Sequence, residues 1–193
     1  MNHRDTSHVP AIPTALAHRP TTGGLVVPWI TPQTADGRFL LGSIDERLAR
    51  RALLERRCGV CGTKLHDRVV LLMRLSDLPQ RASVEPALHP QCAAYTISAC
   101  PMVAGRLSTY RATLPRHDEN MKPAADNDNR LGAAAEPWFS VWLRDYRLSS
   151  VHGNLAAAYV GQPLRIRPIA LALLGIAGTG ALESGPSGRD DAL

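Results

Sequence analysis

The residues best suited to chemistry are two short ligand pairs in the stretch from Cys58 to Cys100, which holds all four cysteines of the chain. Cys58 and Cys61 form a Cys-x-x-Cys pair, and His89 and Cys92 form a second pair with the same separation. Cysteine thiolates and neutral imidazole are the ligands that a structural Zn²⁺ takes in a tetrahedral site. The two pairs therefore predict one zinc site with four protein ligands.

The sequence before the first pair favours a zinc knuckle over a redox pair. A thioredoxin-type pair follows a strand and begins a helix. Here residues 43–57 predict a helix that ends before the cysteines, with Ser43 as N-cap and Glu46 as its capping-box partner. Gly59 and Gly62 suit a tight turn around an ion, because glycine tolerates the positive φ that such turns use. A redox pair and an incidental spacing stay open as alternatives.

The second pair is predicted to lie at the start of a helix. Pro90 suits the first helical position, so the segment PQCAAYTISA is expected to be helical with His89 near its N-cap. Three thiolates, one imidazole and Zn²⁺ carry one net negative charge, which the positive end of the helix dipole stabilises. A knuckle, then strands, then a helix that brings the second pair is the order of a treble-clef module.

Cys100 competes with Cys92 for the fourth ligand position. On a continuous helix it lies eight residues after Cys92, a rise of about 12 Å. Sulfurs that share one zinc must lie within about 4 Å of each other. Cys100 is therefore expected to be a buried thiol at the helix end, before Pro101. His66 is the one other histidine near enough in sequence to the knuckle to replace a ligand.

The composition bounds the class of protein. The chain has 193 residues, a net charge of +5, 45% hydrophobic and 5% aromatic residues. No apolar run reaches the roughly 18 residues that span a membrane, and the first residues lack an apolar signal core. We therefore expect a cytoplasmic protein without a membrane partner. In a reducing compartment, cysteines at ligand spacing favour zinc over disulfides.

The expected fold is α+β, a small treble-clef-like zinc module with a short β element packed on it and disordered termini. Strands are expected over 25–30, paired with 38–44, and over 69–73, paired with 82–84. By composition the chain divides into five parts. These are a disordered tail (1–24), a zinc-binding module (25–116), an acidic linker or loop (117–136), a small β-rich C-terminal element (137–182) and a disordered end (183–193).

Charge beside the knuckle suggests a non-catalytic module that binds nucleic acid through its phosphates. Segment 43–81 holds nine basic residues against five acidic ones. Arginines recur along the predicted helix, at Arg47, Arg50, Arg51, Arg56 and Arg57. A solvated helix face is the simpler explanation of the same pattern. Trp138, Trp142 and Tyr146 would suit a stacking face for single strands, although aromatic residues more often belong to a core.

Two other classes stay open. A protein-interaction adaptor would use the zinc module as a rigid support, and no sequence feature separates it from the nucleic-acid binder. An HNH-type nuclease can also carry a knuckle, but the histidine pair and asparagine of its catalytic site are missing between the two ligand pairs. Four protein ligands also leave no open position on a zinc ion for catalysis. An enzyme is therefore the less favoured class, and the oligomeric state stays open.

The segments RRCGVCGTKL and LHPQCAAYTISACPM, preceded by VPWIT and FLLGSID, resemble a group of small proteins of actinobacteria and their phages to which no activity is assigned. The resemblance spans about residues 25–110 and is looser to about 170. Those proteins share the Cys-x-x-Cys-Gly knuckle, the His-x-x-Cys-Ala helix start and the following Cys-Pro. The resemblance implies Cys58, Cys61, His89 and Cys92 as the ligand set and leaves the role of Cys100 open.

Overall fold

Two helices and eight strands form the part of the chain that the computed structural model describes, residues 10–112 and 130–170. The helices are α1 (Glu46–Glu55) and α2 (Pro90–Ala99). The strands are β1 (Thr21–Thr22), β2 (Leu25–Val26), β3 (Val69–Arg74), β4 (Ala82–Ser83), β5 (Trp138–Leu143), β6 (Arg147–Val151), β7 (Asn154–Ala158) and β8 (Arg165–Ile169). The predicted α+β class is confirmed.

The central sheet has the order β3-β5-β8, and its neighbouring strands are antiparallel. The strand predicted over 69–73 is confirmed as β3, whose six residues are all buried. Its partner is β5, from Val69↔Leu143 to Arg74↔Trp138. The predicted pairing of β3 with residues 82–84 is wrong, because β5 forms the ladder with all six residues of β3. β4 has only two residues, and it pairs with β7 instead.

A second sheet has the order β4-β7-β6. Its long hairpin, β6–β7, turns at His152 and Gly153, with φ values of 49° and 80°. Two successive left-handed residues suit a two-residue hairpin turn. Both sheets contribute to one core with the helices, since Ala157 of β7 and Val141 of β5 are fully buried in the same cluster. The predicted packing of a C-terminal β element on the rest of the chain is confirmed.

The N-terminal segment is ordered from residue 10, so the prediction of a disordered tail over 1–24 is wrong for 10–24. A short 3-10 helix, Thr14–Leu16, places Leu16 in the core with no exposed surface. β1 and β2 then form a small hairpin around Gly23 and Gly24. Composition alone suggests disorder here, whereas one buried leucine and a tight glycine turn are enough to attach the segment.

The strand expected over 25–30 is short and has a different partner. β2 pairs with β1, and the predicted partner segment 38–44 makes only an isolated bridge between Gln33 and Phe39. The Val26 amide donates a hydrogen bond to the Tyr95 hydroxyl over 2.9 Å. This bond joins the N-terminal hairpin to α2, so the hairpin covers the module as expected but through a different pairing.

Helix α1 begins three residues later than predicted, and its N-cap is Asp45 in place of Ser43. The Asp45 carboxylate accepts hydrogen bonds from the amides of Arg47 and Leu48, over 2.9 and 3.1 Å. Aspartate and serine are about equally good N-caps, and the negative charge of Asp45 is also stabilised by the positive end of the helix dipole. The helix ends at Arg56, whose φ of 55° lies in the left-handed region.

A buried ion pair closes the end of β3. The side chain of Arg74 is 2% exposed and that of Asp77 is 10% exposed. The Asp77 carboxylate accepts hydrogen bonds from Arg74 Nε and Nη2, over 2.8 and 3.0 Å, and from the Arg74 amide over 2.9 Å. The guanidinium also lies 5.7 Å from the ring centre of Trp138 on β5. These contacts fix the corner between the two sheets.

Several predictions concern residues outside the described ranges. These are the tail over 1–9, most of the acidic linker (113–129) and the end of the chain (171–193), including the apolar stretch that follows β8. Of the predicted linker, residues 130–136 are described, and Ala134 makes an isolated β-bridge with Thr109. Neither ten-residue helix of the described ranges has the length and apolar character needed to cross a membrane.

Candidate metal centre

The structure brings the four predicted ligand residues together. The Sγ atoms of Cys58, Cys61 and Cys92 and a ring nitrogen of His89 all lie within 4.8 Å of one another. The three thiols are buried, and His89 is 9% exposed. Two sulfurs that share a tetrahedral zinc lie about 3.8 Å apart, so the cluster already has nearly the size that a zinc ion requires.

The first pair lies on a tight turn directly after α1. The Cys58 amide donates to the Thr63 carbonyl, and the Gly62 amide donates to the Cys58 carbonyl, each over 2.9 Å. The predicted positive φ is confirmed for Gly62, at 78°, and is wrong for Gly59. Gly59 is instead surrounded closely, since a Cβ there would lie 3.4 Å from the Leu88 side chain. No helix follows this pair before β3, which is the order of a knuckle.

Trp29 of the N-terminal segment packs directly on the knuckle. Its amide donates a hydrogen bond to the Val60 carbonyl over 2.9 Å. A Cβ added at Gly62 would lie 2.7 Å from the Trp29 ring, closer than real contacts allow. The knuckle therefore needs glycine here for two reasons, the left-handed backbone and the space that the indole occupies. Composition did not reveal this role of Trp29.

We expect Gly62→Ala to destabilise the zinc-loaded protein more than Gly153→Ala. Both glycines have positive φ, 78° and 80°, but only Gly62 has a side chain against it. The backbone cost of about 1 kcal/mol is common to both variants, and overpacking against Trp29 adds about 1–3 kcal/mol. Urea unfolding of the two variants measures the difference. Equal losses would show that Trp29 moves away freely.

His89 is oriented by a backbone acceptor. It is the N-cap residue of α2, and Pro90 occupies the first turn as predicted. His89 Nε2 lies 2.9 Å from the Lys64 carbonyl, which can only accept, so Nε2 carries the proton. Nδ1 then presents its lone pair to the thiols, 3.4 Å from Cys61 Sγ. Metal-bound histidines are commonly held by such a bond from the other ring nitrogen. Lys64 contributes through its main chain, so its side chain gives no sequence signal.

Electrostatics show why the cluster suits a cation. Hydrogen bonds from Cys61 and Cys92 lower the pKa of the Cys58 thiol to about 3. Hydrogen bonds with Cys58, the largest cause, and with Cys61 raise the pKa of the Cys92 thiol. The buried thiols can therefore lose one proton readily, but further thiolates repel one another unless a positive ion lies among them. The four residues fit a divalent metal, which would accept electron pairs from three sulfurs and one nitrogen.

Cys100 and His66 lie outside the ligand group. Cys100 is the C-cap of α2, and burial raises the pKa of its thiol. The predicted position at the helix end is confirmed, but the residue is partly buried and not fully buried as predicted. The His66 ring lies 6.3 Å from the His89 ring, centre to centre, and it does not belong to the cluster. Among the described residues, the two ligand pairs are sufficient for a four-coordinate site.

Three of the five arginines singled out on α1 make internal contacts. Glu55 accepts hydrogen bonds from Arg51 and Arg57, over 2.8 and 2.7 Å, and these lower the pKa of Glu55 to about 2. Arg57 also donates to the Gly62 carbonyl over 3.0 Å. Arg56 forms an ion pair with Asp145. These side chains hold the end of α1 to the knuckle and to the sheets. Their charges therefore stabilise the fold.

Arg47 and Arg50 are the members of that group that point to solvent. The Arg47 side chain is 93% exposed and is 3.5 Å from Asp45. Arg50 is exposed, and among the described residues it has no hydrogen bond or ion pair. A phosphate could reach Arg50 without breaking an internal contact, and at Arg47 it would compete only with the exposed ion pair to Asp45. The predicted phosphate contacts of the basic helix are therefore restricted to Arg47 and Arg50.

The three aromatic residues considered for stacking have different environments. Trp138 and Tyr146 are buried, at 4% and 3% exposure, so the core explanation is correct for both. The Tyr146 hydroxyl, in the residue directly before β6, donates to the Leu53 carbonyl of α1 over 2.8 Å. Trp142 is only half-buried. It is the one of the three that a ligand could contact.

Comparison with known proteins adds no relative to this picture. No family model, curated protein or solved structure matches the chain. The resemblance to small actinobacterial and phage proteins therefore stays a prediction. What the chain can do has to be inferred from its own residues and their arrangement.

Proposed function

We propose that this protein is a non-catalytic module that is stabilised by a structural zinc ion and binds nucleic acid through phosphates. The observation that supports the metal is the group of Cys58, Cys61, His89 and Cys92 within 4.8 Å of one another. Thiolates together with imidazole favour Zn²⁺ over harder divalent ions. The knuckle, a buried strand and a helix that begins at the second pair support a treble-clef-like arrangement.

The same geometry argues for a structural zinc over a catalytic one. Four protein ligands complete a tetrahedron, so no position is left for water or substrate. The ligands are also buried, which keeps solvent away from the ion. When bound, the ion would supply a fixed cross-link between the knuckle and α2. The protein contributes the ligand positions, and the His89–Lys64 hydrogen bond holds the imidazole in place.

We expect His89→Ala to lose zinc and Cys100→Ala to retain it. His89 Nδ1 belongs to the ligand group, whereas Cys100 lies at the other end of α2. Loss of an outer-shell partner typically lowers metal affinity by about 10–100-fold, and loss of a ligand should exceed that. Elemental analysis of both purified variants gives the zinc stoichiometry. Equal zinc loss in the two variants would mean that the ligand set is wrong.

The nucleic-acid part of the proposal is supported by charge and exposure. The chain has a net charge of +5. Arg47 and Arg50 lie one turn apart on the outer face of α1, where no internal partner holds Arg50 among the described residues. Arginine binds phosphate with its fork of N–H donors. Such contacts carry little sequence information, because phosphates are the same along any strand.

We expect the zinc-loaded protein to bind unrelated DNA duplexes with an affinity that falls steeply with salt. Three to five phosphate contacts predict a log–log slope of roughly −3 to −4.5. Replacing both Arg47 and Arg50 by glutamine should reduce the slope by about 1.8. Titrations of labelled duplexes at several salt concentrations measure both slopes. Absence of binding at low salt would leave the arginines as a solvated face and refute this part of the proposal.

A protein-interaction adaptor is the second candidate, and one observation favours it. Val160, Leu164 and Ile166 are exposed by 74%, 49% and 43%, and they lie on β8 and the segment before it. Exposed apolar side chains that cluster on one element can mark a protein interface. Purification after nuclease treatment distinguishes the two candidates, since a protein partner would stay bound and a nucleic acid would be lost.

A further inference from the structure

We propose that the protein has a second basic surface, at one end of the central sheet, that binds a single nucleic-acid strand around Trp142. We call it the sheet-end cluster, and its members are Arg68, Trp142, Arg144, Arg165 and Arg167. The inference rests on the proposed function and deepens it by naming the form of nucleic acid and the residues that contact it. None of these arginines belongs to α1.

The strand register places these side chains together. Trp142 of β5 is paired with Arg165 of β8, and Ser140 is paired with Arg167. Residues two apart on a strand share a face, and directly paired residues share a face across the sheet. Arg165 and Arg167 are therefore on the same face of the sheet as Trp142. The exposed strand β8 forms the edge of the sheet beside that tryptophan.

The other two arginines lie at the same end of the sheet. β3 begins at Val69, β5 ends at Leu143, and these two residues are paired. Arg68 directly precedes β3 and Arg144 directly follows β5, so the two arginines are neighbours at that end. Arg165, the first residue of β8, lies at this end as well, since it is paired with Trp142. Arg68, Arg144 and Arg165 thus lie at the same end of the sheet, and Arg167 lies two residues further along β8.

The charges of this cluster are available to a ligand. Arg68, Arg144, Arg165 and Arg167 are exposed, and within 10–112 and 130–170 their side chains have no hydrogen bond or ion pair. The nearest acids in sequence are Asp67, which is exposed, and Asp145, which forms an ion pair with Arg56. The surface therefore keeps a positive excess. This differs from α1, where Glu55 and Asp145 occupy three of the five arginines.

Trp142 supplies the feature that selects a single strand. It packs against the core but remains half-buried, unlike Trp138 and Tyr146. An unpaired base can stack on an aromatic side chain, whereas a base inside a duplex is already stacked on its neighbours. Arginines around the ring can hold the phosphates on either side of that base. Base identity should matter little, because no asparagine or glutamine lies within the cluster to read it.

The test measures binding of fluorescein-labelled oligothymidylate to the zinc-loaded full chain. We expect Trp142→Leu to weaken binding by about tenfold or more, as for the loss of one stacking side chain. Replacing Arg165 and Arg167 by glutamine should reduce the log–log salt slope by about 1.4, since each contact on a single strand contributes about 0.7. The matched control is the variant with glutamine in place of Arg47 and Arg50. In that variant, Trp142→Leu should weaken binding of oligothymidylate by the same factor as in the wild type.

The outcomes separate this inference from the proposed function. If the wild type binds neither oligothymidylate nor duplex at low salt, the proposed function fails. If it binds but the Arg165 and Arg167 variant matches the wild type in affinity and slope, the sheet-end cluster is refuted and the proposed function stands. Binding of polyglutamate in place of oligothymidylate would also refute it, in favour of an acidic protein partner. Because Arg165 and Arg167 are exposed, their variant tests the proposal even if Trp142→Leu fails to fold.

Discussion

Cys58→Ser and Cys92→Ser should each leave the protein without zinc and largely unfolded. Both thiols are fully or almost fully buried, at 0% and 1% exposure, and they come from the knuckle and α2 respectively. Zinc binding in small modules contributes roughly 10–16 kcal/mol, and that binding energy is also folding energy. A typical domain has only about 5–15 kcal/mol of net stability. Losing one ligand therefore removes most of what holds the two segments together.

Elemental analysis and circular dichroism check this expectation together. Cys100→Ser is the matched control, because that cysteine is the C-cap of the same helix but lies outside the ligand group. It should retain one zinc per chain and the wild-type spectrum. A chelator added to the wild type should reproduce the spectrum of the Cys92→Ser variant. If the purified protein holds no zinc, or if the chelator leaves its spectrum unchanged, the metal proposal is wrong.

Asp77→Ala should destabilise the folded, zinc-loaded protein by about 3–5 kcal/mol. Asp77 accepts three hydrogen bonds from Arg74, whose side chain is 2% exposed. The substitution removes the bidentate carboxylate from a buried charge at the end of β3. Alanine cannot replace either carboxylate oxygen, so the guanidinium that lies 5.7 Å from the Trp138 ring centre loses its charged partner. Urea unfolding, with zinc content monitored, measures the loss.

Asp36→Ala is the control that shows how much of the loss in Asp77→Ala is due to burial of the ion pair. Asp36 also pairs with a nearby arginine, Arg38, over 2.7 Å, but the two side chains are 56% and 74% exposed. Exposed pairs of this kind contribute little to stability, because water screens the two charges. The two aspartates thus have the same chemistry in opposite environments. Similar losses for both variants would show that the Arg74–Asp77 pair adds little beyond what a surface pair adds.

The ligand residues could be recognised from the sequence because their signal is local. Ligands separated by two residues fit either a tight turn or the start of a helix. Pro90 indicates a helix start for His89 and Cys92. No knowledge of the rest of the fold is needed for either pair. The same locality explains why α2 was predicted with its observed bounds. It also explains why Cys100, one residue past the helix, could be separated from the ligands by distance alone.

Strand partners were harder, since pairing depends on residues far apart in sequence. β3 is recognisable from its apolar run, but the alternation of β5 does not reveal that the two strands share a ladder. The predicted partner of β3, residues 82–84, lies nearer to it in sequence than β5 does but belongs to the second sheet. Likewise, a count of arginines on α1 could not show that Glu55 and Asp145 already neutralise three of them.

The pairing of β3 with β5 has a consequence for how the chain is made. When synthesis has passed residue 112, every proposed metal ligand has been translated, but β5 has not. A chain of that length holds all four proposed ligands while the five apolar residues of β3, 69–73, still lack their main ladder partner. An apolar strand in that condition readily joins strands of other chains. A gene truncated between α2 and β5 should therefore produce a fragment that self-associates although it keeps all four proposed ligands.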